Sequence, residues 1–177
     1  WTVSEDGMDY TFNLREGLLF HNGDTLTAPD FVYTYERTMD EEFASPHANK
    51  LELVTEITAV DELTLNIKLS APFAPFLAVA CSRGPGRALT PISRRAIEEM
   101  GNEAFGLEPV GCGPFKIVPG SAEIGVGFEM EAFEEWYGGR PLLDRVIVQI
   151  IPEPSSQASA LEAGDVDMLN IVNTTSV

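Results

Sequence analysis

Cationic side chains are scarce in this sequence: 11 lysines and arginines stand against 28 acidic residues, a formal charge of −17. A field of that sign repels phosphate backbones and anionic headgroups, which excludes nucleic acid and a basic membrane-surface helix and favours cationic or zwitterionic partners. Long apolar runs are missing too. The stretch 71–81 carries Pro72 and Pro75 and falls well short of the ~20 residues of a membrane span. Histidine and cysteine number two each. Neither His21 nor His47 belongs to a Cys/His spacing pattern of a zinc site, so no metal site and no cofactor are expected. Cys81 and Cys112 either form one bridge or stay two free thiols. Because Cys81 ends an apolar segment, buried free thiols are the favoured reading.

The catalytic signatures are equally thin. There is no Gly-x-Ser-x-Gly elbow, no phosphate loop ending in Gly-Lys-Ser/Thr and no Gly-x-Gly-x-x-Gly after a strand. Gly111-Cys112-Gly113 is followed by Pro114 and Phe115, where a dinucleotide turn would need to start a helix. Cys112 has only Lys116 as a neighbouring cation, so it reads as structural rather than nucleophilic. Carboxylate pairs such as Glu134-Glu135 or Asp165 and Asp167 arise readily among 28 acids and read as solvated surface. The chain is therefore read as a non-enzyme.

What is present is a mixed α/β pattern. Tyr10, Phe12 and Leu14 alternate with polar residues, the period of a half-buried strand, and His21-Asn22-Gly23-Asp24 is a turn. Thr27 with Asp30 three residues on, and Pro29 between, marks a helix start. The spacing of Ala28, Phe31, Val32, Tyr35 and Met39 predicts a helix over 28–39, with Asp30, Thr34, Glu36 and Arg37 on its wet face. Runs 53–60 and 63–69, joined at Asp61-Glu62, predict a hairpin in which Leu63, Leu65, Ile67 and Leu69 share one face. A short buried helix is expected over 73–81, a loop at Gly84-Pro85-Gly86, and a helix over 93–100 stopped by Gly101. Strands are expected over 114–118 and 127–132. Residues 145–151 are apolar on both faces, which predicts a central strand covered on both sides. A helix from Pro154 closed by Gly164, then a strand over 168–172, would complete a parallel βαβ unit.

Several ordered blocks run along the chain: Trp1 to Gly7 with Tyr10-Thr11-Phe12-Asn13-Leu14-Arg15, then Phe20-His21-Asn22-Gly23-Asp24 and Thr27-Ala28-Pro29-Asp30-Phe31, followed by Ala44-Ser45-Pro46. They resemble the extracellular solute-binding proteins of the oligopeptide, dipeptide and nickel family. Pro109-Val110-Gly111-Cys112-Gly113-Pro114-Phe115 is similar to that family's Pro-Val-Gly-Thr-Gly-Pro-Phe, with Cys112 in place of threonine. Trp136-Tyr137-Gly138-Gly139-Arg140-Pro141 reverses its aromatic pair. Ile150-Ile151-Pro152 and Leu161-Glu162-Ala163-Gly164-Asp165-Val166-Asp167 match its closing blocks.

The resemblance implies a partial lobe of the type II periplasmic-binding-protein kind. Residues 1–106 would be an additional subdomain of the first lobe, and 107–177 part of the ligand-facing α/β domain, with the second lobe outside the sequence. Starting at Trp1 and ending on Val177, the chain is expected to be an excerpt of a longer protein. The implied function is capture of a small solute, peptide foremost, in an interlobe cleft and delivery to the permease of an ABC importer. The location would be periplasmic or extracellular, with a lipid anchor through the upstream region. Arg83 and Arg87, on the glycine-rich loop, could hold a ligand carboxylate bidentately. Asn170 and Asn173 follow a strand end of the kind that faces ligand in open α/β sheets. The rival expectation is a free-standing, non-catalytic interaction module derived from the same lobe.

Overall fold

The computed structural model describes residues 1–81 and 87–170. The first half is built on a four-stranded antiparallel sheet of order β1-β2-β4-β3, from β1 (Thr2–Val3), β2 (Asp9–Asn13), β3 (Val54–Ala59) and β4 (Thr64–Leu69). The period-two pattern sets its register: Tyr10 pairs with Ile67 and Phe12 with Leu65, and the shared face turns inward. Leu65, Ile67 and Leu69 are buried there with Tyr10, while Lys68 and Asn66 face outward. Each such aliphatic side chain contributes about 1.5–3 kcal/mol on burial. The expected hairpin is present, with a shift of register between Val54 and Glu56.

The helix α1 (Ala28–Met39) covers this sheet, and its ends fall where the sequence places them. The Asp30 carboxylate accepts from the Thr27 backbone N–H at 2.8 Å and from the Thr27 hydroxyl at 3.2 Å. Thr34 departs from the expected wet face. It is buried because its hydroxyl donates to the Asp30 carbonyl at 2.7 Å and accepts from the Ile92 N–H at 3.3 Å, which removes the cost of burying it. Beneath α1 the core gathers Ala28, Leu51, Phe76, Ala80 and Leu89 around the sheet.

The helix expected over 73–81 is shorter, α2 (Phe76–Ala80), because Pro75 precedes its first turn. The glycine-rich loop expected at 84–86 lies outside the described residues. A 3-10 turn at Arg87–Leu89 then leads to α3 (Arg94–Leu107), whose Ser93 hydroxyl accepts from the Ala96 N–H at 3.1 Å. Gly101 does break this helix, at φ 80° and ψ 165°, yet helical backbone resumes beyond it instead of ending there. An L side chain resists that backbone conformation, so the break depends on glycine.

The second half holds a three-stranded antiparallel sheet, β5 (Phe115–Ile117), β6 (Gly127–Ala132) and β7 (Arg145–Gln149), in that order. One expectation fails here. β7 lies at the sheet edge, antiparallel to β6, and alternates exposed with half-buried residues; it is not a central strand covered on both sides. Its apolar content needs a layer on each face, and the described residues leave Ile147 61 % exposed. The helix α4 (Pro154–Ala163) forms as expected, with the Gly164 N–H bonded back to the Ala160 and Leu161 carbonyls. Residues 168–170 that follow are not strand, and the rest of the predicted strand lies outside the described residues. Among the described residues no parallel pair forms.

Candidate functional site

The four residues with an expected ligand role fall in different parts of the chain. Arg83 and Asn173 lie outside the described residues. Arg87 opens the 3-10 turn whose next residues, Ala88 and Leu89, are buried against α1 and α2. Asn170 is exposed and follows α4 in the chain. Arg87 and Asn170 thus belong to different segments, one before α3 and the other after α4.

Two of the surface recesses among the described residues involve charged or hydroxyl side chains. One, of about 270 Å³, runs between the first turn and α3 and is lined by Phe20, Asp24, Asp30, Arg94, Arg95 and Glu98. Its charges answer one another: Arg95 binds Asp24 at 3.0 Å and Glu99 at 2.8 Å, and Arg94 binds Glu98 at 2.7 Å. The other, of about 370 Å³, is an open depression beside α4 with Ser155, Ser156, Ser159 and Asp165 on its wall. Among the described residues no buried side-chain polar atom lacks a partner. Nor do three His, Cys, Asp or Glu side chains converge among them as a metal would need.

The cysteines are both free thiols, as favoured, but they are not deep in a core: Cys81 is exposed at the surface and Cys112 half-buried. Desolvation by the surrounding protein pushes the Cys81 thiol up to about 11 and raises that of Cys112. Both are poor nucleophiles at neutral pH.

Sequence reasoning found no metal-ligand spacing at His21 and placed it in a turn, but missed what its ring does. Its backbone N–H donates to the Gly111 carbonyl at 2.8 Å. On the side chain, the Gly111 N–H reaches Nδ1 at 3.3 Å and Nε2 lies 3.1 Å from the Gly113 carbonyl. The ring meets Phe133 edge to face at 5.1 Å between centroids. Around ninety residues of sequence separate the partners, so no local pattern reveals the pairing. The only sequence signal was that both segments belong to the blocks carrying the resemblance. With both ring nitrogens turned to backbone, His21 is not available as a base for Cys112. A second bridge between the halves is Arg15, whose guanidinium lies 5.3 Å from the centroid of the Tyr137 ring.

The whole of residues 1–177 matches the profile of the bacterial extracellular solute-binding proteins, family 5 Middle. The chain belongs to this family. Among its relatives, protein XP55 of Streptomyces lividans is 32% identical over 93% of this chain and 29% of its own length. The oligopeptide-binding protein AppA of Bacillus subtilis and the nickel-binding periplasmic protein of Escherichia coli K12 are each 27% identical, over 96% of this chain and 31% of their own lengths. The fold agrees with solved members. The substrate-binding domain of an oligopeptide ABC transporter from Bacillus anthracis superposes with a TM-score of 0.81 at 25% identity, over 93% of this chain and 34% of that one. DppA from Helicobacter pylori, solved with the peptide STSA, gives 0.79 at 28% identity, over 94% of this chain and 35% of that one. The mixed α/β fold implied by the resemblance is therefore the family's fold, and the chain spans about a third of the length of the relatives it matches.

Proposed function

We propose that these residues are part of the first lobe of an extracytoplasmic receptor that captures a small solute, peptide foremost, for an ABC importer. The observation that carries this reading is the continuous match of the whole chain to a solute-binding family, with the fold of a peptide-bound relative. Within that reading, 1–106 form the additional subdomain and 107–177 part of the ligand-facing domain. The receptor works outside the cytoplasm, tethered through an upstream lipid anchor, and hands its ligand to permease subunits. It performs no chemistry: binding shifts an open to closed equilibrium of two lobes.

Arg83 and Arg87 hold the ligand carboxylate, and Asn170 and Asn173 bond its polar backbone. Calorimetry on the full-length protein tests this with a panel of tri- to pentapeptides beside nickel–histidine and haem. A peptide that binds, and loses at least about tenfold in affinity in the Arg83→Ala and Arg87→Ala variants, supports the assignment, since a charge-assisted bond is worth about 1.5–3 kcal/mol. Unchanged affinity in both variants removes the arginines from the site, and binding of the nickel chelate alone overturns the peptide reading.

A further inference from the structure

One of the contacts that join the two halves of the chain is made by a titratable ring. His21 sits in the turn after β2, and its partners Gly111 and Gly113 belong to the segment that leads into β5. Gly111 N–H donates to Nδ1, so Nδ1 carries no proton; Nε2 is then the N–H that donates to the Gly113 carbonyl. This pairing defines a neutral imidazole of a single tautomer. An imidazolium has no lone pair for Gly111, and its Nδ1–H would point at another N–H.

We propose that His21 is a pH-sensitive latch that fastens the Gly111–Gly113 segment to the first half of the molecule when neutral and frees the Gly111 amide when protonated. The charged groups around it leave the proton without compensation. Lys116 on β5 opposes a second positive charge, even though its ammonium also pairs with Glu131 at 3.3 Å. Asp24, in the same turn, is committed to Asn22 and to Arg95 of α3. Glu134, next to the ring's partner Phe133, is taken by Arg140. Cys112, between the two glycines, is a neutral thiol. Desolvation is the largest influence on the imidazole and holds its pKa below the usual 6.5, with the Gly113 carbonyl pulling the other way.

For a base whose folded pKa is lowered, the stabilisation is complete above the unfolded value near 6.5 and is lost as pH falls from there towards the folded value. Protonation keeps the bond to Gly113 and the backbone bond to Gly111 but removes the side-chain acceptor, so the segment loosens without detaching.

The test is made on the full-length protein by NMR. Nitrogen chemical shifts of His21 should show Nδ1 unprotonated and Nε2 protonated at pH 7.5, and the ring should titrate below 6.5. The hydrogen-exchange protection of the Gly111 amide, corrected for intrinsic rates, should then fall about tenfold across that titration, the equivalent of one net hydrogen bond. In His21→Gln, whose amide does not titrate, the step in protection should vanish; if that variant does not fold, the wild-type shifts and protection decide alone. An Nδ1-protonated ring, a pKa at or above 6.5, or protection at Gly111 that does not change through the titration would each overturn the latch.

Discussion

Single residues in this chain do their work at backbone positions, by supplying a hydrogen bond or by lacking a side chain. Asp30 accepts both the N–H and the hydroxyl of Thr27 in the first turn of α1, where its charge also meets the positive end of the helix dipole. Replacing it by alanine should cost about 1 kcal/mol, read as a lower urea midpoint at unchanged slope. Gly127 illustrates the other kind of role. It starts β6 at φ 155°, and a Cβ there would lie 2.0 Å from the Val148 carbonyl oxygen, an approach that no side chain tolerates. Gly127→Ala should therefore destabilise by more than the ~1 kcal/mol of an ordinary strained glycine position and should raise amide exchange in the β6–β7 ladder first. A variant as stable as the parent would mean that β7 shifts without cost.

The two sheets differ in how completely their apolar faces are covered. In the first, Leu65 and Ile67 are 2% and 1% exposed under α1. In the second, Phe128, Met130, Val146 and Val148 share a face on which every residue is only half-buried. The opposite face carries charge pairs, Lys116 with Glu131 and Arg145 with Glu129 at 3.0 Å. For this chain, Leu65→Ala should lose about 2–5 kcal/mol by opening a cavity, and Val146→Ala should lose under about 1 kcal/mol because solvent already reaches that side. Parallel urea titrations would show the contrast. Equal losses would mean that the second sheet is as tightly packed as the first.

The molecule as a whole is governed by its excess of negative charge. The ion pairs found among the described residues are all at least a quarter exposed on each partner, so they offset little of the repulsion from a net charge of −17. Screening should therefore stabilise the fold: raising sodium chloride from about 20 to about 200 mM shortens the Debye length from about 20 to about 7 Å. The expected outcome is an increase in Tm of about 2–4 °C by calorimetry. A decrease would mean that the exposed pairs outweigh the general repulsion.

Much of the first half was legible in the sequence because its signals are local. The alternation of Tyr10, Phe12, Leu65 and Ile67 fixes which face of each strand is apolar, and Thr27 with Asp30 fixes where α1 starts. These follow from steric periods and hydrogen bonds that span a few residues, and the ordered blocks that carry the family resemblance extend them along the chain. Thr34 was misplaced because its burial depends on Ile92, from a distant segment that supplies a donor to its hydroxyl. β7 was misplaced because a run of apolar residues states only that burial is wanted, whereas the layers that provide it come from elsewhere in the fold. His21 was missed for the same reason. A histidine in a turn has no intrinsic partner, and only the folding of Gly111 and Gly113 against it, some ninety residues away, decides its tautomer and its resistance to protonation. Local sequence thus determined the elements and the family, through short-range sterics and capping. The tertiary structure alone decided which faces are covered and which polar groups meet, because those depend on contacts between segments that the chain brings together only on folding.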